Sequence, residues 1–453
     1  VEVKPYYINK VDQIYFKPNA TLLNQQHLTY KKAWVDFEMT PGDDYWMASP
    51  LKEVYAGDMY APMTTGRQET PAFTDIEYVG ENETTTDKPQ LNDRWNPAFY
   101  QKAWDKAITY SNDKDGSSTT PVEAVKSNWS IEYNDVTVPY SLGKGFYSRV
   151  EKDSQGNALV RLPKSDDEYK YELSTRALTE TGKDNVDYGK MALSSEDETE
   201  VSINLETEVD GDGTHFLVGN PFMSYLNMDA FFDANTNLVR SYWTISGGTQ
   251  QVAVGTPDVG WTGNETETGD NISGILKPMT AFFIELKSDA TEKTIKFTPE
   301  MMTAKPVTTV GTRTYTAENP KLMLTATSKQ GKSRAAIVQR SDASNQYESD
   351  KDAVTLLDSE LDAPTVYTVA GNYAAAVNAI HDYKNVPLGV YADADEEVEL
   401  TIEGASQLVE PLYLYDAVTR STTPIEGDSY TLKLTGSSHG RYFLTTDEGI
   451  TVE

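Results

Sequence analysis

The segment THFLVGNPFMSYLNMDAFFDAN occupies residues 214–235, and a second segment, TAFFIELKSDATEKTIKFTP, occupies residues 280–299. In the first segment an apolar run ends at Gly219-Asn220-Pro221, where glycine permits a positive φ and proline removes a backbone donor. This pattern predicts a buried strand that ends in a tight turn. In the second segment, Ala281–Leu286 is predicted to be a buried strand. The alternating stretch Thr294–Thr298 is predicted to form a β-hairpin with it.

An earlier pair of segments resembles this one. Trp46–Leu51 aligns with Leu217–Phe222, since both contain an apolar run, two small or polar residues, a proline and an apolar residue. Gly145–Val150 aligns with Ala281–Leu286, and each is followed at the same distance by a strand that ends in proline. We therefore predict a duplicated β-unit. Chance recurrence of common strand and turn patterns is the alternative.

The length of 453 residues exceeds one ordinary hydrophobic core. We predict a β-sandwich unit over residues 1–185, with an insertion at about 66–135, and a related β-unit over 186–310 that is separate or packs with the first as one domain. Short strands at regular spacing predict an immunoglobulin-like β-sandwich over 319–453. The fold class is therefore mainly β: tandem antiparallel β-sandwiches, jelly-roll-like and then immunoglobulin-like, with one short helical insertion.

The predicted helix lies within the insertion, at residues 96–110, NPAFYQKAWDKAITY. Phe99, Ala103 and Trp104 recur at helical spacing, and Pro97 stands near the first helical position. The aromatic residues of the insertion suit either a sugar-stacking platform or a cover for one open end of a sandwich. The second role is the ordinary one for the apolar stripe of a helix.

Composition limits the classes of partner. The chain has 39 basic and 70 acidic residues, a formal net charge of −31, so we expect no nucleic-acid partner and no attraction to anionic lipid. No apolar run reaches the roughly 20 residues that cross a bilayer, so no direct membrane insertion is expected. There is no cysteine, which excludes disulfides and thiolate chemistry. Because the sequence opens on Val1, we expect it to be part of a larger polypeptide.

Several runs resemble a known group of proteins. YFKPNATLL at residues 15–23, FLVGNPFMSYLNMDAFFDAN at 216–235 and VPLGVYADADEEVELTI at 386–402 are similar to the C-terminal β-rich region of large secreted or cell-surface proteins of Bacteroidetes bacteria. The last domain resembles the β-sandwich that often precedes a type IX secretion sorting domain in such proteins. This resemblance implies an extracellular or outer-cell-surface location. It transfers no catalytic residue.

Candidate catalytic and metal groups are few. The four histidines, His27, His215, His381 and His439, show no paired metal-ligand spacing, and there is no G-x-S-x-G nucleophile motif. Alternate loop oxygens predict a structural calcium ion as the one candidate cofactor. One loop supplies Asp113 and Asp115, and the other supplies Asp210 and Asp212. Neither loop continues to the bidentate Glu of an EF-hand.

Tryptophans in or beside loops are the candidate ligand-binding residues: Trp95, Trp104, Trp129, Trp243 and Trp261. Such rings stack on sugars or anchor protein partners, and burial in a core is the alternative for each. We therefore predict a non-enzymatic adhesion, binding or display module for a glycan or a host or matrix protein. The alternatives are a structural spacer for an upstream effector, and a glycan- or peptide-active hydrolase whose paired carboxylates the sequence does not single out.

Overall fold

The structure is a computed structural model, and it describes eighteen stretches of the chain: residues 1–4, 9–30, 32–52, 54, 78–79, 90–91, 99–104, 129–130, 141–150, 158–162, 190–193, 198–205, 214–246, 248–256, 260–264, 274–305, 319–356 and 362–448. The protein is mainly β, as predicted, and is consistent with the β-sandwich class. It divides into two units. The first comprises Val1–Ile108, Asn128–Leu238 and Ile275–Pro306, and the second comprises Thr109–Ser127, Val239–Gly274 and Val307–Glu453.

The strands of the first unit pair in several small sheets. They are β1 (Gln13–Phe16), β2 (Lys32–Met39), β3 (Asp44–Met47), β4 (Tyr78–Val79), β5 (Gln90–Leu91), β6 (Phe99–Trp104), β7 (Trp129–Ser130), β8 (Phe146–Val150), β9 (Ala158–Leu162), β10 (Val201–Asn204), β11 (His215–Gly219) and β12 (Tyr225–Asn227). After the segment 239–274 come β16 (Ile275–Leu276), β17 (Ala281–Leu286), β18 (Thr294–Phe297) and β19 (Met302–Thr303). Within this unit the pairing orders include β1-β2-β9, β3-β8-β6-β7 and β16-β12-β19.

The α-helix α1, Met228–Ala234, follows the turn after β11 and was not predicted. Asn227 caps it, because its side-chain oxygen accepts hydrogen bonds from the backbone N–H groups of Asp229 and Ala230 at 2.9 and 3.2 Å. Phe231 and Phe232 are buried on one side of the helix. The capping asparagine and the paired phenylalanines are the local signals that sequence reasoning missed.

The two aligned segment pairs form the same structure. β3 pairs antiparallel with β8, and β11 pairs antiparallel with β17. The registers correspond, since Met47 faces Phe146 in the first pair and the aligned Val218 faces Phe282 in the second. The turns correspond as well. Ser49 Oγ accepts the N–H of the residue two positions later at 3.1 Å, and Asn220 Oδ1 does the same at 3.0 Å. These matches support the predicted repeat.

The two copies also exchange contacts reciprocally. The bridge between Met47 and Thr280 has its counterpart in the bridge between Val218 and Lys144. Ala48 N donates to the carbonyl of Met279 at 3.0 Å, and Gly219 N donates to the carbonyl of Gly143 at 2.7 Å. Met279 and Gly143 occupy equivalent positions, and both have positive φ, 61° and 78°. The two copies are thus related by an approximate two-fold rotation.

Close packing at this approximate axis requires small residues. A Cβ built on Gly219 would lie 2.1 Å from the Cβ of Ala48, the equivalent residue of the other copy. A Cβ built on Gly145 would lie 2.7 Å from the Cβ of its own equivalent, Ala281. Glycine at one position of each pair therefore allows the backbones to approach.

The predicted hairpin between β17 and β18 is wrong. The strand β17 itself has the predicted bounds, but β18 pairs with β10. Asn235, at the end of α1, occupies the other edge of β18: its side chain donates to the Lys296 carbonyl at 2.9 Å and accepts from the Lys296 N–H at 2.8 Å. The Asn235 amide therefore takes the place of a neighbouring strand. It bonds the backbone N–H and C=O of Lys296 on the edge of β18 that a hairpin partner would occupy.

We expect Asn235→Ala to destabilise the protein by about 2–4 kcal/mol, because it leaves the N–H and C=O of Lys296 without these buried partners. Asn235 is 3% exposed and also donates to the Phe231 carbonyl. Urea unfolding compares this variant with Gln330→Ala, which removes an exposed side-chain amide. Equal unfolding midpoints in the two variants would refute this role for Asn235.

The predicted helix at residues 96–110 is also wrong where the structure describes it. Residues 99–104 form β6, which pairs with β8 on one side and with β7 on the other. Phe, Tyr and Trp in FYQKAW favour a strand when partners are present, and pairing with two strands overrides a short helical spacing. The remaining residues of the predicted helix lie outside the described residues.

The second unit contains the strands of segment 239–274 and a large curled sheet. They are β13 (Leu238–Ser246), β14 (Thr249–Thr256), β15 (Gly260–Gly263), β20 (Lys321–Thr327), β21 (Lys332–Gln339), β22 (Ala353–Val354), β23 (Thr365–Ala370), β24 (Tyr373–Ile380), β25 (Val386–Tyr391), β26 (Glu397–Glu403), β27 (Tyr413–Asp416), β28 (Ser421–Pro424), β29 (Ser429–Thr435) and β30 (Ser438–Thr445). The curled sheet has the order β28-β27-β30-β25-β23-β24-β21-β20-β26-β29, and β22 also pairs with β24.

The core of the curled sheet consists of aliphatic side chains with a few tyrosines. It includes Leu322, Leu324, Ile337, Val366, Leu388, Leu400, Ile402 and Leu444, all at most 2% exposed. β24 has the predicted bounds although its alanine run also suits a helix. Two pairings depart from the predicted antiparallel arrangement, since β21 pairs with β24 and β1 with β2 in parallel. The chain between β21 and β24 is long enough to return to the same end of the sheet.

Candidate ligand-binding surface

Trp243 is part of the core and is not a surface aromatic. It is 0% exposed, and its indole N–H donates to the Val354 carbonyl at 2.7 Å within the second unit. The predicted binding role of Trp243 is therefore wrong. β13 is buried along almost all of LVRSYWTI, including Ser241 and Thr244, so other elements cover this strand on both faces.

Trp261 is partly exposed and belongs to a defined cluster. It lies on β15, where it pairs with Gly255 of β14. The ring of Tyr242 packs edge-on against the indole, with ring centroids 5.2 Å apart. The guanidinium carbon of Arg240 lies 5.5 Å from the indole centroid, a cation-π arrangement. We call Trp261, Tyr242 and Arg240 the Trp261 cluster.

Two glycines make the Trp261 cluster possible. A Cβ on Gly255 would lie 2.8 Å from Nε of Arg240, so this glycine lets the arginine cross the sheet toward the indole. A Cβ on Gly274 would lie 2.4 Å from the indole, and the Gly274 N–H donates to the Tyr242 hydroxyl at 3.0 Å. The ring orientation of Trp261 is therefore fixed by its surroundings.

Sequence reasoning missed Arg240 and Tyr242. The available signal was the two-residue period of a strand, which places residues 240 and 242 on one face. β14 lies between β13 and β15 and sets their relative register. Tyr242 of β13 pairs with Ala253 of β14, and Ala253 pairs with Gly263 of β15. Such a register depends on non-local pairing, so the cluster was not apparent from local sequence.

The other predicted binding residues are only partly described. Trp104 and Trp129 are backbone partners in the register of β6 with β7. Trp95 lies outside the described residues, as do the predicted calcium ligands Asp113, Asp115, Asp210 and Asp212. Within the described ranges, no three His, Cys, Asp or Glu side chains are grouped to hold a metal ion.

His215 lies in a buried, uncharged environment. Its Nε2 is 3.8 Å from Oε2 of Glu285, its partner in the β11–β17 register. Burial lowers the pKa of His215 to about 3 and raises the pKa of Glu285 to about 7. Both groups thus favour their neutral forms, and Thr214 Oγ1 lies 2.9 Å from Nδ1 of the ring.

The three remaining histidines are dispersed. His439 Nδ1 lies 2.9 Å from the Tyr367 hydroxyl, and the His381 backbone N–H donates to Asn345 Oδ1 at 2.9 Å. His27 is the last residue of a 3-10 turn, Gln25–His27. These positions bring no two histidines together among the described residues.

A groove of about 1130 Å³ lies on the second unit. Its charged lining is mainly acidic, and consists of Lys329, Asp393, Asp395, Glu396, Glu397, Glu399 and Lys433. The predicted tryptophans do not line it. Its charge opposes anionic ligands.

No helix in the described part of the chain combines the length and the apolarity that a membrane crossing requires. Residues 127–445 match the model of a family described as a domain of unknown function, DUF8693. No curated protein and no solved structure matches the chain.

Proposed function

The chain belongs to the DUF8693 family, and we propose that it is a non-enzymatic, secreted or cell-surface binding module whose ligand is a glycan. The Trp261 cluster carries the proposal. An indole that is partly exposed and held by an arginine and a tyrosine offers a fixed apolar surface to a sugar ring. The location rests on the resemblance to secreted and surface proteins. A host or matrix protein is the other class of ligand.

A glycan is favoured over a protein ligand by the form of the cluster. One partly exposed indole with an adjacent cation suits a single ring carrying hydroxyl groups, whereas protein interfaces bury roughly 800 Å² on each partner. The net charge of −31 disfavours acidic sugars, so we expect a neutral glycan.

Binding to immobilised neutral glycans tests the proposal. We expect Trp261→Ala to weaken binding about tenfold or more, because truncation of a central aromatic typically costs over 1 kcal/mol. Trp34→Ala is the matched control, since Trp34 is also partly exposed but lies on β2. Pull-downs from mucus and matrix extracts cover protein ligands. Binding by neither route, or equal binding by both variants, would refute the proposed role of Trp261.

A structural spacer is the second candidate. It is favoured by three hydrogen bonds that tie segment 239–264 to the C-terminal strands of the same unit. Trp243 donates to the Val354 carbonyl, Asn264 to the Arg334 carbonyl, and the Lys321 ammonium to the Gly263 carbonyl. Such hydrogen bonds oppose the separation of these two segments when the chain is pulled. The spacer predicts a high unfolding force in single-molecule pulling, together with no response in the glycan experiment.

A further inference from the structure

The loop between β21 and β22, residues 341–352, is exposed over much of its length yet is fixed by a buried carboxylate. Asp352 is 0% exposed, and its two oxygens accept the backbone N–H groups of Glu348 and Ala379, both at 2.6 Å. One bond closes the loop on itself and the other attaches it to β24. Burial disfavours the ionised form of Asp352 and raises its pKa to about 7. The two hydrogen bonds from backbone N–H groups offset part of this desolvation cost.

Further side chains fix the same loop. Glu348 Oε2 accepts the Ser344 N–H at 2.8 Å, and the Lys351 ammonium donates to Glu348 Oε1 at 3.0 Å and to the Asp342 carbonyl at 2.7 Å. Arg340 contacts both carboxylate oxygens of Asp342, at 2.9 and 2.8 Å. These bonds connect both ends of the loop to its middle.

The centre of the loop is attached to the turn after β24. Asn345 Oδ1 accepts the His381 N–H at 2.9 Å, and Asn345 Nδ2 donates to Asp382 Oδ1 at 3.0 Å. Because the Asn345 amide is occupied in this way, the two residues that follow it are held in place. A surface loop fixed at this many points has lost conformational freedom before any ligand arrives.

The fixed loop presents Tyr347 beside Tyr373, the first residue of β24. The ring centroids are 4.5 Å apart and the rings are tilted by 34°, and Tyr373 is 40% exposed. Gly371 has φ 57° in the turn before Tyr373, and a Cβ there would lie 2.9 Å from Oε1 of Gln346. The Gln346 amide therefore lies against this turn, which also carries the exposed Asn372.

We propose that Tyr347, Tyr373 and the side-chain amides of Gln346 and Asn372 form a second ligand site, which binds a neutral pyranose ring of a glycan. The apolar C–H face of the sugar stacks on the tyrosines. The two amides supply both donors and acceptors to its hydroxyl groups. Two hydrogen-bonding amides beside stacked rings match a sugar better than a purely apolar ligand.

Local charge restricts the sugar to neutral types. Three ion pairs at the loop and at the turn after β24 balance their charges, Arg340 with Asp342, Lys351 with Glu348, and Lys384 with Asp382. The exposed carboxylate of Asp350 adds a further negative charge. Uronic acids and sulfated sugars would meet like charge at this surface. The site takes its ligand class from the proposed function but involves none of the residues of the Trp261 cluster.

Affinity electrophoresis in gels that contain a neutral β-glucan, a galactomannan or soluble chitin oligosaccharides tests the proposal, with polygalacturonate as the anionic probe. We expect retardation by at least one neutral polymer and none by polygalacturonate. Calorimetry with an oligosaccharide of the retarding polymer then gives the affinity. We expect Tyr347→Ala and Tyr373→Ala each to weaken it about tenfold or more, and Tyr373→Phe to preserve it.

Tyr15→Ala is the matched control, because Tyr15 is 39% exposed but lies on β1 of the first unit. Gln346→Ala is a second variant, which removes an exposed amide and is expected to weaken binding severalfold without loss of the fold. Retention of affinity in Tyr347→Ala, Tyr373→Ala and Gln346→Ala overturns the site. If only Trp261→Ala abolishes binding, the proposed function stands and this second site is wrong. If the chain binds no neutral glycan, both are wrong.

Discussion

Trp243→Ala is expected to destabilise the second unit by about 3–5 kcal/mol, because it removes a large, fully buried ring and leaves a cavity. It also deprives the Val354 carbonyl of the indole N–H at 2.7 Å. Trp243→Phe separates the two effects, since it keeps most of the volume and loses the donor. We expect about 1–3 kcal/mol for that change.

Urea unfolding followed by near-ultraviolet circular dichroism measures both variants. Trp261→Ala is the internal comparison, because Trp261 is partly exposed on β15 of the same unit. We expect it to cost clearly less than Trp243→Ala. If the two alanine variants unfold at the same urea concentration, Trp243 is not the core residue described above.

Glu285→Gln is expected to stabilise the first unit at pH 8 by about 2–3 kcal/mol and to have little effect near pH 4.5. Desolvation by burial raises the pKa of Glu285 in the folded protein to about 7 from its ordinary value of 4.5. The stability that protonated Glu285 contributes is therefore fully present below about 4.5 and is lost as the pH rises through 7. Glutamine has no proton to lose, so the variant avoids this loss.

The measured quantity is the difference in melting temperature between Glu285→Gln and the parent chain from pH 4.5 to 8. Other titrating groups, such as Asp36 with its pKa raised to about 6, cancel in the difference. His215 is closest to the changed group, and its pKa is lowered to about 3. The folded protein keeps this ring neutral down to about pH 3, whereas the unfolded chain protonates it below about 6.5, so both proteins lose stability as the pH falls below 6.5 and this loss also cancels in the difference. A difference that stays constant with pH would contradict the buried environment of Glu285.

Local patterns predicted individual strands well. Ala281–Leu286 has the predicted bounds, because a buried apolar run is visible in a few adjacent residues. Tyr373–Ile380 also has the predicted bounds, although its alanine run suits a helix as well. Partners were not predictable in the same way. β18 pairs with β10 and not with β17, since Asn235 fills its other edge from a distant part of the chain.

The residues of the candidate surface likewise divide into those that local sequence identifies and those that depend on distant partners. Trp261 was identified because the sequence places this tryptophan in or beside a loop. Arg240 was missed, because it reaches Trp261 only through the register of three strands. The pair of Tyr347 and Tyr373 was missed because Asp352 fixes the loop that holds Tyr347. Asp352 does so by accepting the backbone N–H groups of Glu348 and Ala379, and these contacts are not visible in the sequence. Burial of a carboxylate cannot be inferred from composition.

In the first unit, the contacts around Ala48 and Gly219 are reciprocal. Each copy supplies backbone partners and a close-packed surface to the other. Removing either copy would leave backbone groups such as the N–H of Ala48 or of Gly219 without their carbonyl partners, so we expect neither copy to fold without the other.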